Sequence, residues 1–144
     1  MKRFRQFLAL SPPCRRLFIE AVLALAAARL FIVMLPFRRY VSRLGRHRCE
    51  TPLAPLDEVR ADEARRVGWA IALACRHTPW NSACLPQAMA GRWMLQRRGI
   101  SCTLYLGVAK GTDGMAAHAW LRAGDVIVTG RGGMRRFTVV SSFA

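Results

Sequence analysis

The chain has 144 residues, 53% of them hydrophobic and 22% charged, a balance typical of a globular domain and unlike that of a disordered chain. Its 23 Lys and Arg against 8 Asp and Glu give a formal net charge of +15, which favours an anionic partner. The arginines lie in scattered pairs without a nucleic-acid-binding motif, so we expect no nucleic-acid partner. Five cysteines without CxxC spacing and without a cleavable signal peptide argue against a disulfide framework and favour a cytoplasmic location.

A long apolar segment over residues 14–45 is rich in Ala and Leu and predicts a helix, with Pro36 ending or kinking it. Glu20 and Arg29 interrupt the apolar run, so the pattern favours packing on protein over a membrane span. The arginines that follow Pro36 could still contact a membrane surface. We expect residues 1–50 to form an N-terminal apolar helical extension and residues 51–144 to form the main domain.

Two further helices are predicted before the strands begin. Proline-containing residues 47–59 read as a loop, and Asp57 or Asp62 can cap a helix that runs to residue 77. A second helix begins beside Cys84, where Asn81 and Ser82 are cap-type residues, and it stops at a left-handed Gly99. The helical half of the chain therefore ends at about residue 99.

Beyond Gly99 the pattern alternates, and four runs predict strands over residues 100–110, 116–124, 125–130 and 135–143. The turn "RAGD" joins the second run to the third, with Gly124 free to take a positive φ. Helices followed by an antiparallel meander predict an α+β fold in which helices pack on one face of a small antiparallel sheet.

Cys84 stands where a polar turn becomes an apolar helix. As a cysteine it could be a small core residue, half of a disulfide, a metal ligand or a nucleophile. A helix N-terminus stabilises a thiolate, and the exposed amides there could help to hold an oxyanion. His118 projects from an alternating strand and is the candidate general base, although a histidine on a strand is often structural.

A zinc site is the alternative to a cysteine–histidine catalytic pair. His47 and Cys49 together with Cys75 and His77 supply the ligand types of a tetrahedral zinc site, but neither half has a usual finger spacing. We therefore expect no metal.

The stretch "PWNSACLPQAMAGRWMLQRRGISCTLYLGVAK" followed by "AAHAWL" resembles the leader peptidases of lasso-peptide biosynthesis, which are transglutaminase-like cysteine peptidases. The resemblance extends from about residue 15 to the C-terminus. It implies a papain-like α+β core over residues 51–144, with Cys84 as nucleophile and His118 as base.

The resemblance also implies an acidic third catalytic residue on the strand after the histidine, where this chain has none. Asp125 in the hairpin turn is the only carboxylate after His118, and Thr129 or a backbone carbonyl could orient the imidazole instead. Trp80 either walls the cleft and supplies a hydrogen-bond donor or is a core aromatic.

The segment before residue 69 is too short for a leader-binding winged-helix domain, so the resemblance implies a split system. Its partners would be a precursor leader peptide, a separate leader-recognition protein and a lasso cyclase, and the apolar N-terminal helix either docks one of them or completes the core. No phosphate-binding loop motif is present, so we expect no cofactor in this chain and assign ATP to the cyclase. The alternative is a non-catalytic transglutaminase-like scaffold that binds peptide or membrane in a biosynthetic complex.

Overall fold

The structure is a computed structural model that describes residues 10–144; the first nine residues of the predicted extension lie outside the described residues. In chain order the elements are α1 (Pro12–Met34), α2 (Phe37–Val41), α3 (Glu58–His77), α4 (Cys84–Gln96), β1 (Thr103–Gly111), β2 (Gly114–Ala123), β3 (Val126–Thr129), a 3-10 turn (Met134–Arg136) and β4 (Thr138–Phe143). The α+β class and the apolar N-terminal helix are confirmed. The division of the chain at residue 50 stays a prediction.

The strands form one antiparallel sheet in the order β3-β2-β1-β4. The first three strands are the predicted meander, but β4 does not continue it. Instead β4 crosses to the far edge and pairs with β1, with Phe143 opposite Leu104. The simple four-stranded meander was therefore wrong. Strand β4 carries no local signal for its neighbour, because strand pairing is decided by contacts distant in sequence.

Local chemistry accounts for the helix boundaries. Helix α1 begins with Pro12, whose missing N–H costs nothing in the first turn, and it ends before Pro36. The carboxylate of Asp57 accepts a hydrogen bond of 2.9 Å from the Arg60 amide and so caps α3, as one of the two predicted caps. At the end of α4, Gly99 takes a φ of +65°, which is the predicted left-handed stop.

The helices lie on one face of the sheet in two layers. Helices α3 and α4 pack against the strands, and α1 packs across α3 and α4 on their outer side. Small residues permit the close contact: a Cβ on Gly91 would lie 2.8 Å from Leu121 Cδ2, and one on Gly68 would clash with the Val128 carbonyl. One continuous core runs through all three layers, from Leu17 in α1 to β4.

The loop before α3 covers part of the other face of the sheet, around Arg122. Arg122, which is 4% exposed, donates hydrogen bonds to the carbonyls of Thr51, Pro52 and Gly124 and to the Tyr105 hydroxyl. Buried guanidinium groups are tolerated only when their donors are satisfied, as they are here. Arg122 therefore fastens the loop to the sheet beside the aromatic residues of β2.

Candidate active site

Cys84 is the first residue of α4 and is half-buried against the core. The residue before it, Ala83, is the N-cap and gives no side-chain hydrogen bond to the helix. The cap expected from Asn81 or Ser82 is therefore not formed. An N-terminus without a side-chain cap directs amide N–H groups and the positive end of the helix dipole at whatever anion lies there. A thiolate or an oxyanion at Cys84 would meet this positive potential.

Two side chains hold the loop that leads into Cys84. Arg29 in α1 donates a 2.6 Å hydrogen bond from Nη1 to the Asn81 carbonyl, and Gln87 in α4 donates one of 2.7 Å from Nε2 to the Ser82 carbonyl. Neither residue was predicted to belong to the site. Gln87 is the fourth residue of α4, whereas the Gln of a capping box stands at the third position, so its contact has no recognised sequence signal. The Arg29 contact joins residues 52 apart and has no such signal either.

Trp80 lies in the same loop, and its indole Nε1 is buried without a hydrogen-bond partner among the described residues. Thr78 Oγ1, two residues earlier, is buried and unpartnered in the same way. A buried donor left without an acceptor costs about 1–3 kcal/mol, so its presence calls for an explanation. An acceptor on a bound peptide is one partner that would satisfy the Trp80 N–H.

His118 lies on β2, half-buried, with Nε2 2.7 Å from the Gly130 carbonyl oxygen. A carbonyl oxygen only accepts, so Nε2 carries the proton and donates it, and in the neutral ring Nδ1 keeps its lone pair. The imidazole is also held by two aromatic rings, with centroid separations of 5.0 Å to Phe137 and 5.9 Å to Trp120. The ring is thus fixed in the tautomer that a base acting through Nδ1 requires.

The fold brings the start of α4 and His118 to the same end of the sheet. Gly91 lies over Leu121, and from there the helix runs back seven residues to Cys84, about 10 Å at 1.5 Å per residue. Strand β2 runs back three residues from Leu121 to His118, also about 10 Å. The α4–β1 connection joins the end of α4 to the start of β1, and β2 pairs antiparallel with β1. The start of α4 and the first half of β2 therefore both lie away from this connection.

The Cys84 thiol and the His118 imidazole reach this end of the sheet from opposite faces. Strict alternation along β2 puts Leu121 on the helix face, and His118 and Trp120 on the opposite face. Strand β3 ends at Thr129, so beside His118 the edge of β2 is no longer covered by a regular strand. Within residues 10–144 no hydrogen bond joins Cys84 Sγ to His118. Catalysis would require the imidazole to meet the thiol around this edge.

The structure does not bring Asp125 to His118. Asp125 is exposed in the turn after Ala123, and Ala123 is five strand residues from His118, about 17 Å along β2. Thr129 does not replace it, because its methyl group faces Gly91 on the helix side of the sheet. The group that holds the imidazole is the Gly130 carbonyl, and a backbone group leaves no side-chain signature in the sequence.

The two histidines of the alternative zinc site have other partners. His47 Nε2 lies 2.7 Å from Ser141 Oγ beside β4, and His77 Nδ1 lies 2.9 Å from the Leu73 carbonyl at the end of α3. Burial raises the pKa of the Cys75 thiol, with a smaller opposing effect of the Ser82 hydroxyl. No group of three or more His, Cys, Asp and Glu side chains arranged to hold a metal ion occurs among residues 10–144.

Comparison with known families matches residues 31–142 to the transglutaminase-like superfamily. The match begins within α1 and includes Cys84, His118 and all of the sheet except Phe143. Searches of curated proteins and of solved structures each gave no significant match.

Proposed function

Because the chain belongs to the transglutaminase-like superfamily, which includes cysteine peptidases, we propose that it is a cysteine peptidase that removes the leader from a lasso-peptide precursor. The observation that carries the proposal is the hydrogen bond from His118 Nε2 to the Gly130 carbonyl, at the end of the sheet where α4 begins with Cys84. The lasso-peptide substrate follows from the sequence resemblance around these two residues. A separate leader-recognition protein would present the precursor, and a cyclase would close the ring afterwards.

In the proposed reaction, His118 Nδ1 takes the proton of the Cys84 thiol, and the thiolate attacks the carbonyl carbon of the peptide bond that joins leader to core. The uncapped start of α4 supports the negative charge on the tetrahedral oxygen. The C–N bond then breaks, and Nδ1–H gives its proton to the departing amine. Water, deprotonated by the same nitrogen, hydrolyses the thioester and restores the thiol.

Each residue has a part that can be tested separately. The Nε2–H bond to Gly130 fixes the tautomer throughout, since a carbonyl oxygen accepts from both neutral imidazole and imidazolium. The unpartnered Trp80 Nε1–H is our candidate donor to the bound peptide. Asp125, exposed at the far end of the hairpin, has no part in the step.

The test is cleavage of a precursor peptide, followed by mass spectrometry, with the purified chain and its leader-recognition partner. Cys84→Ala and His118→Ala should abolish cleavage, whereas Asp125→Ala should retain it within about twofold. Cys14→Ala is the matched control, since Cys14 is also half-buried but lies in α1, and it should cleave like the wild type. Cleavage by Cys84→Ala would refute the nucleophile assignment.

A non-catalytic peptide-binding scaffold is the second candidate. Two observations favour it: no carboxylate contacts His118 within residues 10–144, and no hydrogen bond joins His118 to Cys84 there. A scaffold would bind the precursor without cleaving it, and a thiol-directed electrophile would label Cys84 no faster than the half-buried Cys14. Faster labelling of Cys84, lost in His118→Ala, would favour the peptidase.

A further inference from the structure

Helix α1 is apolar on two opposite faces, and only one of them is covered. Its inner face packs on α3 and α4 and is at most 8% exposed, through Leu17, Ala21, Leu25 and Ala28. Its outer face is 48–74% exposed, through Ile19, Leu23, Leu30, Val33 and Met34. We call these five outer residues the apolar stripe.

The two charges that interrupt the sequence of α1 do not interrupt the apolar stripe. The carboxylate of Glu20 is turned aside to Arg98, which donates to both of its oxygens at 2.9 and 2.7 Å. Arg29 is turned to the Asn81 carbonyl at 2.6 Å. From Ile19 to Met34 the stripe therefore extends over about 22 Å of helix without a charged group.

Exposed arginines stand at both ends of the apolar stripe. Arg16 lies one turn before Ile19, and Arg38, Arg39 and Arg43 follow Met34. A groove of about 450 Å³ beside the stripe has mainly apolar walls from Ile19, Leu23, Ala24, Trp93 and Met94, with Arg16, Glu20 and Arg97 at its margin. Because Glu20 is already paired, the charge around the stripe is predominantly positive.

An apolar strip flanked by arginines matches the boundary between acyl chains and anionic headgroups, where apolar side chains enter the hydrocarbon and guanidinium groups meet phosphates. We infer that the apolar stripe of α1 docks the protein in the plane of an anionic lipid surface. Helix α1 is also the one helix of residues 10–144 that is long and apolar enough to cross a bilayer by length and composition. Its inner face, however, belongs to the continuous core, so crossing would strip α1 from α3 and α4.

The test is flotation of the full chain with vesicles of phosphatidylcholine, with and without about one third phosphatidylglycerol. The wild type should float with the anionic vesicles, at least tenfold more than with the neutral ones, and should be released by high salt. The triple variant Leu23→Ser, Leu30→Ser, Met34→Ser should lose at least tenfold in binding. These side chains are 64, 59 and 69% exposed, so the fold should tolerate the change, and circular dichroism checks it.

The matched control is the variant Val59→Ser, Met115→Ser, Val140→Ser, which replaces three exposed apolar residues outside α1. Their side chains are 76, 72 and 57% exposed. It should float like the wild type. A second variant, Arg38→Gln with Arg39→Gln, should lose most of the preference for anionic vesicles while leaving the stripe intact.

Three results would overturn the inference: a wild type that binds neither vesicle, a control that loses as much as the stripe variant, or binding that survives high salt and alkaline extraction. The first would leave an acidic protein as the occupant of the stripe, and the last would indicate a helix that spans the bilayer. The experiment needs no peptide substrate, so it stands apart from the proposed peptidase.

Discussion

The loop that carries the Gly130 carbonyl offers a direct test of how His118 is held. Gly130 and Gly133 have nearly the same left-handed backbone, with φ of +76° and +77°. A Cβ on Gly130 would clash with the Ala119 carbonyl and lie 2.7 Å from Trp120 Cβ. At Gly133 the nearest atom is the end of the flexible Arg136 side chain, at 3.2 Å. Substitution by alanine therefore adds the same backbone strain at both sites and a steric clash at only one.

The left-handed strain should cost each alanine variant about 1–2 kcal/mol. Gly130→Ala should lose about 1–3 kcal/mol more, because the packed strand β2 must move to accept the methyl group. That movement carries the carbonyl away from His118 Nε2, so we expect precursor cleavage to fall at least tenfold, about 1.4 kcal/mol in the barrier. Gly133→Ala should keep its rate within about twofold. Urea denaturation measures the stability difference, and cleavage is compared at a temperature where both variants are folded. Equal stabilities and equal rates would refute the proposed role of this carbonyl.

Two further predictions concern the core. Leu25→Ala should lower the free energy of unfolding by about 2–5 kcal/mol, because Leu25 is fully buried where α1 packs on its neighbours. Leu23→Ala, on the exposed face of the same helix, should change the free energy of unfolding by less than about 0.5 kcal/mol. Urea denaturation measures both values, and similar values would mean that α1 packs by another face. Burial raises the pKa of the Cys102 thiol from 9.0 to about 11, so the folded state favours the neutral thiol, and this contribution is present below about pH 9 and lost as the pH rises through 11. Over that interval the wild type should lose about 2–3 kcal/mol more than Cys102→Ala in urea titrations, and parallel pH curves for the two proteins would contradict the assignment.

The sequence predicted the local features of this fold better than the distant ones. The stop of α4 at Gly99 and the Asp57 cap follow from chemistry within a few residues, and both are present. The placement of β4 beside β1 depends on contacts between Leu104 and Phe143, which are far apart in the chain, and no nearby residue encodes it. Composition identified the apolar character of α1 but could not say that one of its faces is exposed, since both faces are apolar.

The same distinction between local and distant features applies to the candidate site. The positions of Cys84 at a helix start and of His118 on a strand could be predicted because each is a side chain in a local pattern. A backbone carbonyl was one of the groups expected to orient His118, but the sequence could not say which one, because the carbonyl of Gly130 is presented by a loop 12 residues away. Asp125 and Thr129 could be named as candidates because their side chains are visible in the sequence, whereas the backbone geometry at Gly130 is not.

Helix α1 is fastened to the domain by polar contacts on both sides of its buried face. Toward the start of α1, Arg98 donates a hydrogen bond to the carboxylate of Glu20. Toward its end, Arg29 donates one to the Asn81 carbonyl. The buried apolar positions recur every three or four residues, so a shift by one turn would still present apolar side chains to α3 and α4. The two arginine contacts have no such repeat. They therefore fix the position of α1 along its own axis. Hydrophobic packing alone would permit several such positions, and the polar contacts select one of them.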